Sequence, residues 1–161
     1  MEGSSASRLG PAVEVEKLEY SFDAGEASKQ VLFEIDLELA RGDFAIMTGP
    51  SGSGKTTLLG LIGALRRPQG GVLRVLGQDL SRLHGRELER FRSHLGFIFQ
   101  LHNLFPALTA YQSVQMAADL RPDVPGDPHE RIVSLLGELG LGHRLHYRPD
   151  HLSGGQRQRV A

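Results

Sequence analysis

No cysteine occurs among the 161 residues. That excludes disulfide staples and thiolate metal sites, and it fits a reducing compartment. A surplus of either charge is also missing. The formal net charge is −1 at pH 7, so no basic surplus argues for a nucleic-acid partner. Long hydrophobic runs are absent too. "LLGLIGAL", Leu58 to Leu65, is the longest greasy stretch, far short of the roughly 20 residues of a membrane-spanning helix. No direct membrane insertion is expected, and a membrane role would come through a partner. The opening "MEGSSASRLGPAVEVEKLEY" has no basic start followed by an apolar run, so it does not read as a secretory signal. What is present, 40% hydrophobic and 23% charged residues, is the ordinary make-up of a soluble domain with a core.

Residues 1–11 are small and polar and read as a disordered lead-in. "AVEVEKLEY" and "VLFEIDLELA" alternate apolar and polar side chains, as half-buried strands of an antiparallel sheet do. "FAIMTG" (Phe44 to Gly49) and "GFIFQ" (ending at Gln100) are apolar without alternation. That pattern predicts strands covered on both faces. "PSGSGKTTLLGLIGAL" reads as a glycine-rich turn entering a helix, "GVLRVLG" as a further strand and "GRELERFRSHL" as an exposed helix. From Thr109 the pattern turns helical: "TAYQSVQMAADL" and "HERIVSLLGELGL" flank the breaker-rich "RPDVPGDP". A helical lobe over about 109–150 follows.

Gly49-Pro50-Ser51-Gly52-Ser53-Gly54-Lys55-Thr56 fits G-x-x-x-x-G-K-[ST] without a mismatch, between an apolar strand and a helix. Glycines let the backbone fold tightly, so successive N–H groups converge on phosphate oxygens at a helix N-terminus. Lys55 is expected to reach the β- and γ-phosphates of ATP. Thr56 is expected to place its hydroxyl on Mg²⁺, with Thr57 beside it. The competing reading is a strand-to-helix turn with no ligand.

Two further stretches narrow the class. Gln100 closes "GFIFQ", and Leu152-Ser153-Gly154-Gly155-Gln156 follows the helical lobe and opens a helix with Ser153 at the cap position. In order and spacing these resemble the ATP-binding-cassette (ABC) ATPase domain: phosphate loop, glutamine loop, helical subdomain and signature motif. The resemblance runs from Val13 to Ala161. It implies an α/β phosphate-loop NTPase with an antiparallel β-subdomain, a partial parallel core and a helical subdomain, so that residues 12–161 form the N-terminal part of one such domain.

The resemblance also implies roles. Phe22 falls where the family places an aromatic that stacks on adenine, with Tyr20 as the alternative and plain sheet packing as the competing reading for both. Gln100 matches the glutamine that touches Mg²⁺ and the attacking water. Leu152 to Gln156 match the signature, with the Ser153 hydroxyl and the Gly154 and Gly155 N–H groups clamping the γ-phosphate of ATP held by an opposing subunit. The bare alternative is a helix cap. The implied working form is a head-to-tail homodimer holding two ATPs. It would energise a separate membrane permease, with a periplasmic adaptor, at the cytoplasmic face of the plasma membrane. Within the family the chain looks most like the exporter branch of macrolide efflux and lipoprotein release, and there like DevA-type glycolipid exporters. A translation-type ABC ATPase and a silent ATP-binding module are the alternatives.

Some residues are read blandly. His143 and His146 are expected to be solvated, Arg157 and Arg159 to pair with acidic neighbours or solvent, and Met116 and Leu120 to be helix-face packing, though on the lobe where the family docks its permease.

Hydrolysis needs an acid to hold Mg²⁺ and a base to orient water. The family carries both after the signature, on an apolar strand ending Asp-Glu, and no such strand occurs in these 161 residues. The chain therefore reads as cut just after the signature, unable to hydrolyse ATP alone. The missing part would also supply the strands beside "FAIMTG", which is then expected to lack neighbours and to make the chain poorly soluble.

Overall fold

The structure is a computed structural model that describes residues 10–24, 27–99, 103–120 and 124–161. Most of the lead-in lies outside them. Two compact units result, Met1–Leu95 and Gly96–Ala161.

The first unit is built on β1 (Val13–Ala24) and β2 (Ala27–Leu39), followed by α1 (Lys55–Ile62), β3 (Gly70–Val75), β4 (Gln78–Asp79) and α2 (Arg86–Arg92). The strands form an antiparallel sheet in the order β2-β1-β3-β4. Alternation predicts β1 and β2, but each changes phase midway. Val13 and Val15 are buried at odd positions, then Leu18 and Tyr20 at even ones. A bulge makes the switch: the register with β2 shifts between Val15 and Leu18, and Lys17 takes φ 45°. The Lys17 N–H donates to Asp36 Oδ1 at 2.7 Å, which satisfies a group the ladder has released. Gly71, opposite, lies against the same bulge. A Cβ there would strike the Lys17 carbonyl, so only glycine fits.

One face of the sheet is covered by α1 and α2. Leu18, Leu32, Leu58, Leu61, Leu73 and Phe91 form the buried centre. The α1 spacing puts Leu58 and Leu61 on one stripe, which is why this short helix docks.

"FAIMTG" and "GFIFQ" depart from expectation. Residues 43–50 and 95–99 carry no strand, and Phe44, Ile46 and Ile98 are 90%, 75% and 69% exposed. The reading of both as buried strands is corrected. A central strand is made by ladders on both sides, and no strand among the described residues pairs with either segment.

The second unit is helical: α3 (Ala110–Ala118), α4 (Pro128–Glu138), two 3₁₀ turns at Gly142–Arg144 and Pro149–His151, and α5 (Gly154–Val160). Thr109 caps α3 in a reciprocal box with Gln112, and Asp127 caps α4 with Pro128 in its first turn. Ala110, Ile132, Leu136, Leu141, Leu152 and Val160 make its core. At seven residues α5 is too short to persist alone; Leu152 before it and Val160 at its end anchor it. Met116 and Leu120, expected to pack, are 44% and 75% exposed. The α3 face toward the core is carried by Ala110, Tyr111, Val114 and Ala118 instead. Arg157 is half-buried, and its Nε has no hydrogen bond among the described residues.

Candidate nucleotide site

The loop from Gly49 to Gly54 has no regular structure and ends in α1, whose first ladder bond runs from the Leu58 N–H to the Gly54 carbonyl at 2.9 Å. The N–H groups before it have no partner in the helix. No side chain caps this end, because the N-cap is Gly54. Donors left without a partner among the described residues fit an anion.

Gly54 has φ 88°, and a Cβ on it would stand 2.7 Å from Leu32 Cδ2 and 3.2 Å from the Val31 carbonyl oxygen. Here β2 runs hard against the loop, and a side chain would drive the two apart. The Lys55 ammonium donates to the carbonyls of Gly49 (2.8 Å) and Pro50 (2.7 Å) and to Ser53 Oγ (3.3 Å). Two backbone acceptors thus hold the charge over the loop. The longest of the three bonds goes to a hydroxyl, which a phosphate oxygen can replace. Thr56 is exposed and makes no hydrogen bond through its hydroxyl among the described residues, whereas Thr57 is buried at 9%.

A cavity of about 380 Å³ spans this loop and the hairpin, lined by Ser51 to Thr57 together with Phe22, Lys29 and Val31. The structure brings Phe22 and the phosphate loop to one space. Tyr20, two residues earlier, is buried in the core. The exposed carbons of a phenyl ring, a row of free amides and a fixed ammonium suit a nucleotide, with its base at one end and its phosphates at the other.

Lys29 and Val31 did not stand out in the sequence. The signal for Lys29 was there: counted back from the Ala24–Ala27 pair, the hairpin register sets it directly across from Phe22. Gln100 lies outside the described residues.

Leu152 to Gln156 sit in the second unit. Leu152 is core, 4% exposed. Ser153 Oγ accepts from the Gln156 N–H at 3.3 Å, and Gln156 Oε1 accepts from the Ser153 N–H at 2.8 Å. The cap reading therefore describes this state, and the box uses one acceptor site of Ser153 and leaves its hydroxyl proton free. Gly154 and Gly155 are exposed. No group of three or more His, Cys, Asp or Glu side chains that could hold a metal ion occurs among the described residues.

A phosphate loop facing an aromatic across one cavity defines a phosphate-loop nucleotide-binding domain. The family model for the ABC transporter matches residues 32–161. The macrolide export ATP-binding/permease protein MacB of Marinobacter nauticus is 44% identical over 152 residues, 94% of this chain and 24% of that protein. The lipoprotein-releasing system ATP-binding protein LolD of Alcanivorax borkumensis is 40% identical over 94% of this chain and 67% of its own length. Among solved structures, the dimeric post-hydrolysis state of the ATP-binding cassette MJ0796 bound to ADP and Pi superposes with a TM-score of 0.83. Its identity is 31%, covering 92% of this chain and 66% of that one. The chain belongs to the ABC transporter family, and its fold is the α/β cassette of phosphate-loop NTPases. It spans about a quarter of the MacB-type relatives and two thirds of the LolD-type ones.

Proposed function

We propose that this chain is the ATP-binding part of an ABC exporter, delivering the energy of ATP to a membrane permease. The observation that carries this reading is the one cavity that Phe22 shares with Ser51 to Thr57 of the loop and helix start, in a chain of this family. Phe22 takes the adenine, and the loop amides and the Lys55 ammonium take the phosphates, where converging donors in a fixed frame need no rearrangement. Mg²⁺, when bound, neutralises phosphate charge. Thr56 offers it a free hydroxyl, and Gln100 is the second residue proposed for it.

Leu152 to Gln156 are proposed to face the nucleotide of a second subunit, with Ser153 donating the proton its cap leaves free. The dimeric assembly of the MJ0796 cassette supports a paired form. No helix among the described residues is long and apolar enough to cross a membrane. The proposed station is the cytoplasmic face of the plasma membrane, against a permease and, on the DevA-like reading, an adaptor beyond it. The exposed Met116 on α3 and Leu120 just past its end support the second unit as the docking side.

Binding of a fluorescent ATP analogue, with and without Mg²⁺, tests the reading. Wild type should bind, and Lys55→Ala should weaken binding at least about tenfold, the range for loss of a charge-assisted contact of ~1.5–3 kcal/mol. Equal binding by the two proteins would refute the proposal.

A further inference from the structure

Phe22 is held from a direction that the nucleotide reading does not use. The Arg66 guanidinium carbon lies 4.8 Å from the centroid of the Phe22 ring and 6.0 Å from that of Tyr20. Its Nη1 donates to Tyr20 Oη at 3.4 Å. Tyr20 and Phe22, two residues apart on β1 and so on one face of the sheet, meet as a T at 5.1 Å and 82°. Arg66 does not line the cavity that Phe22 lines, so it holds the ring without forming part of that cavity's wall.

The backbone of Arg66 is tied to α1. Its N–H donates to the Gly60 carbonyl at 3.2 Å, and the Leu65 N–H donates to the same oxygen at 2.8 Å. One short helix thus carries the phosphate loop at its start and, just past its end, the cation that sits on the aromatic. The ribose and phosphoester links bound the distance between the adenine and the phosphates of one nucleotide, so a ring placed within that reach of the loop favours binding both ends at once. Sheet packing alone leaves Phe22 partly exposed at the hairpin end. A guanidinium over the ring restrains it in a way an aliphatic chain does not, because the attraction runs between the cation and the π-face.

We infer that Arg66 is a positioning residue for the adenine end of the site, clamping the Phe22 ring from outside the cavity and coupling its placement to the phosphate loop through α1. The inference rests on the reading of Phe22 as the adenine platform. It assigns Arg66 no contact with the nucleotide.

The test compares ATP with inorganic tripolyphosphate, which has the charge but no base, by titration calorimetry on the full chain. The quantity read is the ratio of the two dissociation constants. Phe22→Ala should cut the preference for ATP about tenfold, as loss of a base–aromatic stack does. Arg66→Leu should cut it about two- to fivefold, the scale of an exposed cation–π contact, while tripolyphosphate binds as to wild type. In the Phe22→Ala background Arg66→Leu should remove nothing more, since it acts through the ring.

The inference is overturned if Arg66→Leu leaves the ratio unchanged where Phe22→Ala lowers it. It is equally overturned if Arg66→Leu weakens both ligands alike, or if its effect persists without the Phe22 ring. A ratio unmoved by Phe22→Ala would instead sink the stacking reading itself.

Discussion

Gly54→Ala measures how tightly the hairpin is seated on the phosphate loop. Gly54 has φ 88°, a region that costs an L-residue ~1–2 kcal/mol. Its new Cβ would stand 2.7 Å from Leu32 Cδ2. Leu32 is 2% exposed and pairs across the sheet with Tyr20, so it has nowhere to go. Forcing a methyl into such a core costs a further ~1–3 kcal/mol. Gly52 supplies the control. Its φ of 82° is nearly the same, but a Cβ there meets nothing within 4 Å, so Gly52→Ala carries only the ~1–2 kcal/mol conformational cost. Hydrogen exchange at the β1 and β2 amides reads the stability of the first unit by itself. There Gly54→Ala should lose at least about 1 kcal/mol more than Gly52→Ala. Adding Leu32→Ala should remove the clash, giving a coupling of about 0.5–3 kcal/mol between the two positions. Equal losses at Gly52 and Gly54, or strict additivity with Leu32→Ala, would refute the claim that β2 presses on the loop.

Two further outcomes are expected. Asp79 has its carboxyl pKa lowered, chiefly by the Ser81 hydroxyl, which donates to Oδ1 at 2.6 Å, with the Ser81 N–H and Arg82 helping. A depressed folded-state value means that this stabilisation is present above the ordinary aspartate range of about 3.9 and fades as pH falls through the lowered value. Ser81→Ala should therefore be less stable than wild type at neutral pH, with the gap closing in strong acid. Urea midpoints from pH 7 to 2 check this, and a gap independent of pH would contradict it. Ile46→Lys breaks the exposed run beside Phe44 and should raise the soluble fraction, read by light scattering, while leaving exchange protection in β1 to β3 unchanged. A loss of that protection would show that the segment packs on the sheet.

How far the sequence carries depends on the range over which each signal acts. The glycine-rich turn into α1 was legible, because it is written in eight consecutive residues. The Ser153 cap was legible for the same reason. Alternation located β1 and β2 but gave no warning that each would switch phase. A bulge is set by partners elsewhere in the chain: the Asp36 carboxylate that takes the Lys17 N–H, and Gly71, whose missing side chain leaves the bulge its space. Arg66 and Phe22 are 44 positions apart, and nothing local to either suggests the other. Lys29 was recoverable, though only by taking the hairpin register as given.

"FAIMTG" shows where this kind of reading ends. Its unbroken apolar pattern is a statement of need: both faces and both edges require cover. It holds no statement of supply. In β1 the two coincide, because β2 and β3 pair with it from either side. In residues 44–48 they do not, and the same pattern leaves Phe44 at 90% exposure. The burial of a strand belongs to its neighbours as much as to itself. The phosphate loop survives this because its geometry is held from the other side. Gly54 lies against Leu32 and Val31 of β2, α1 is seated by Leu58 and Leu61, and the two carbonyls under Lys55 come from the loop itself. A nucleotide cradle held by its hairpin and its helix should therefore bind phosphate even where the strand leading into it has no partner.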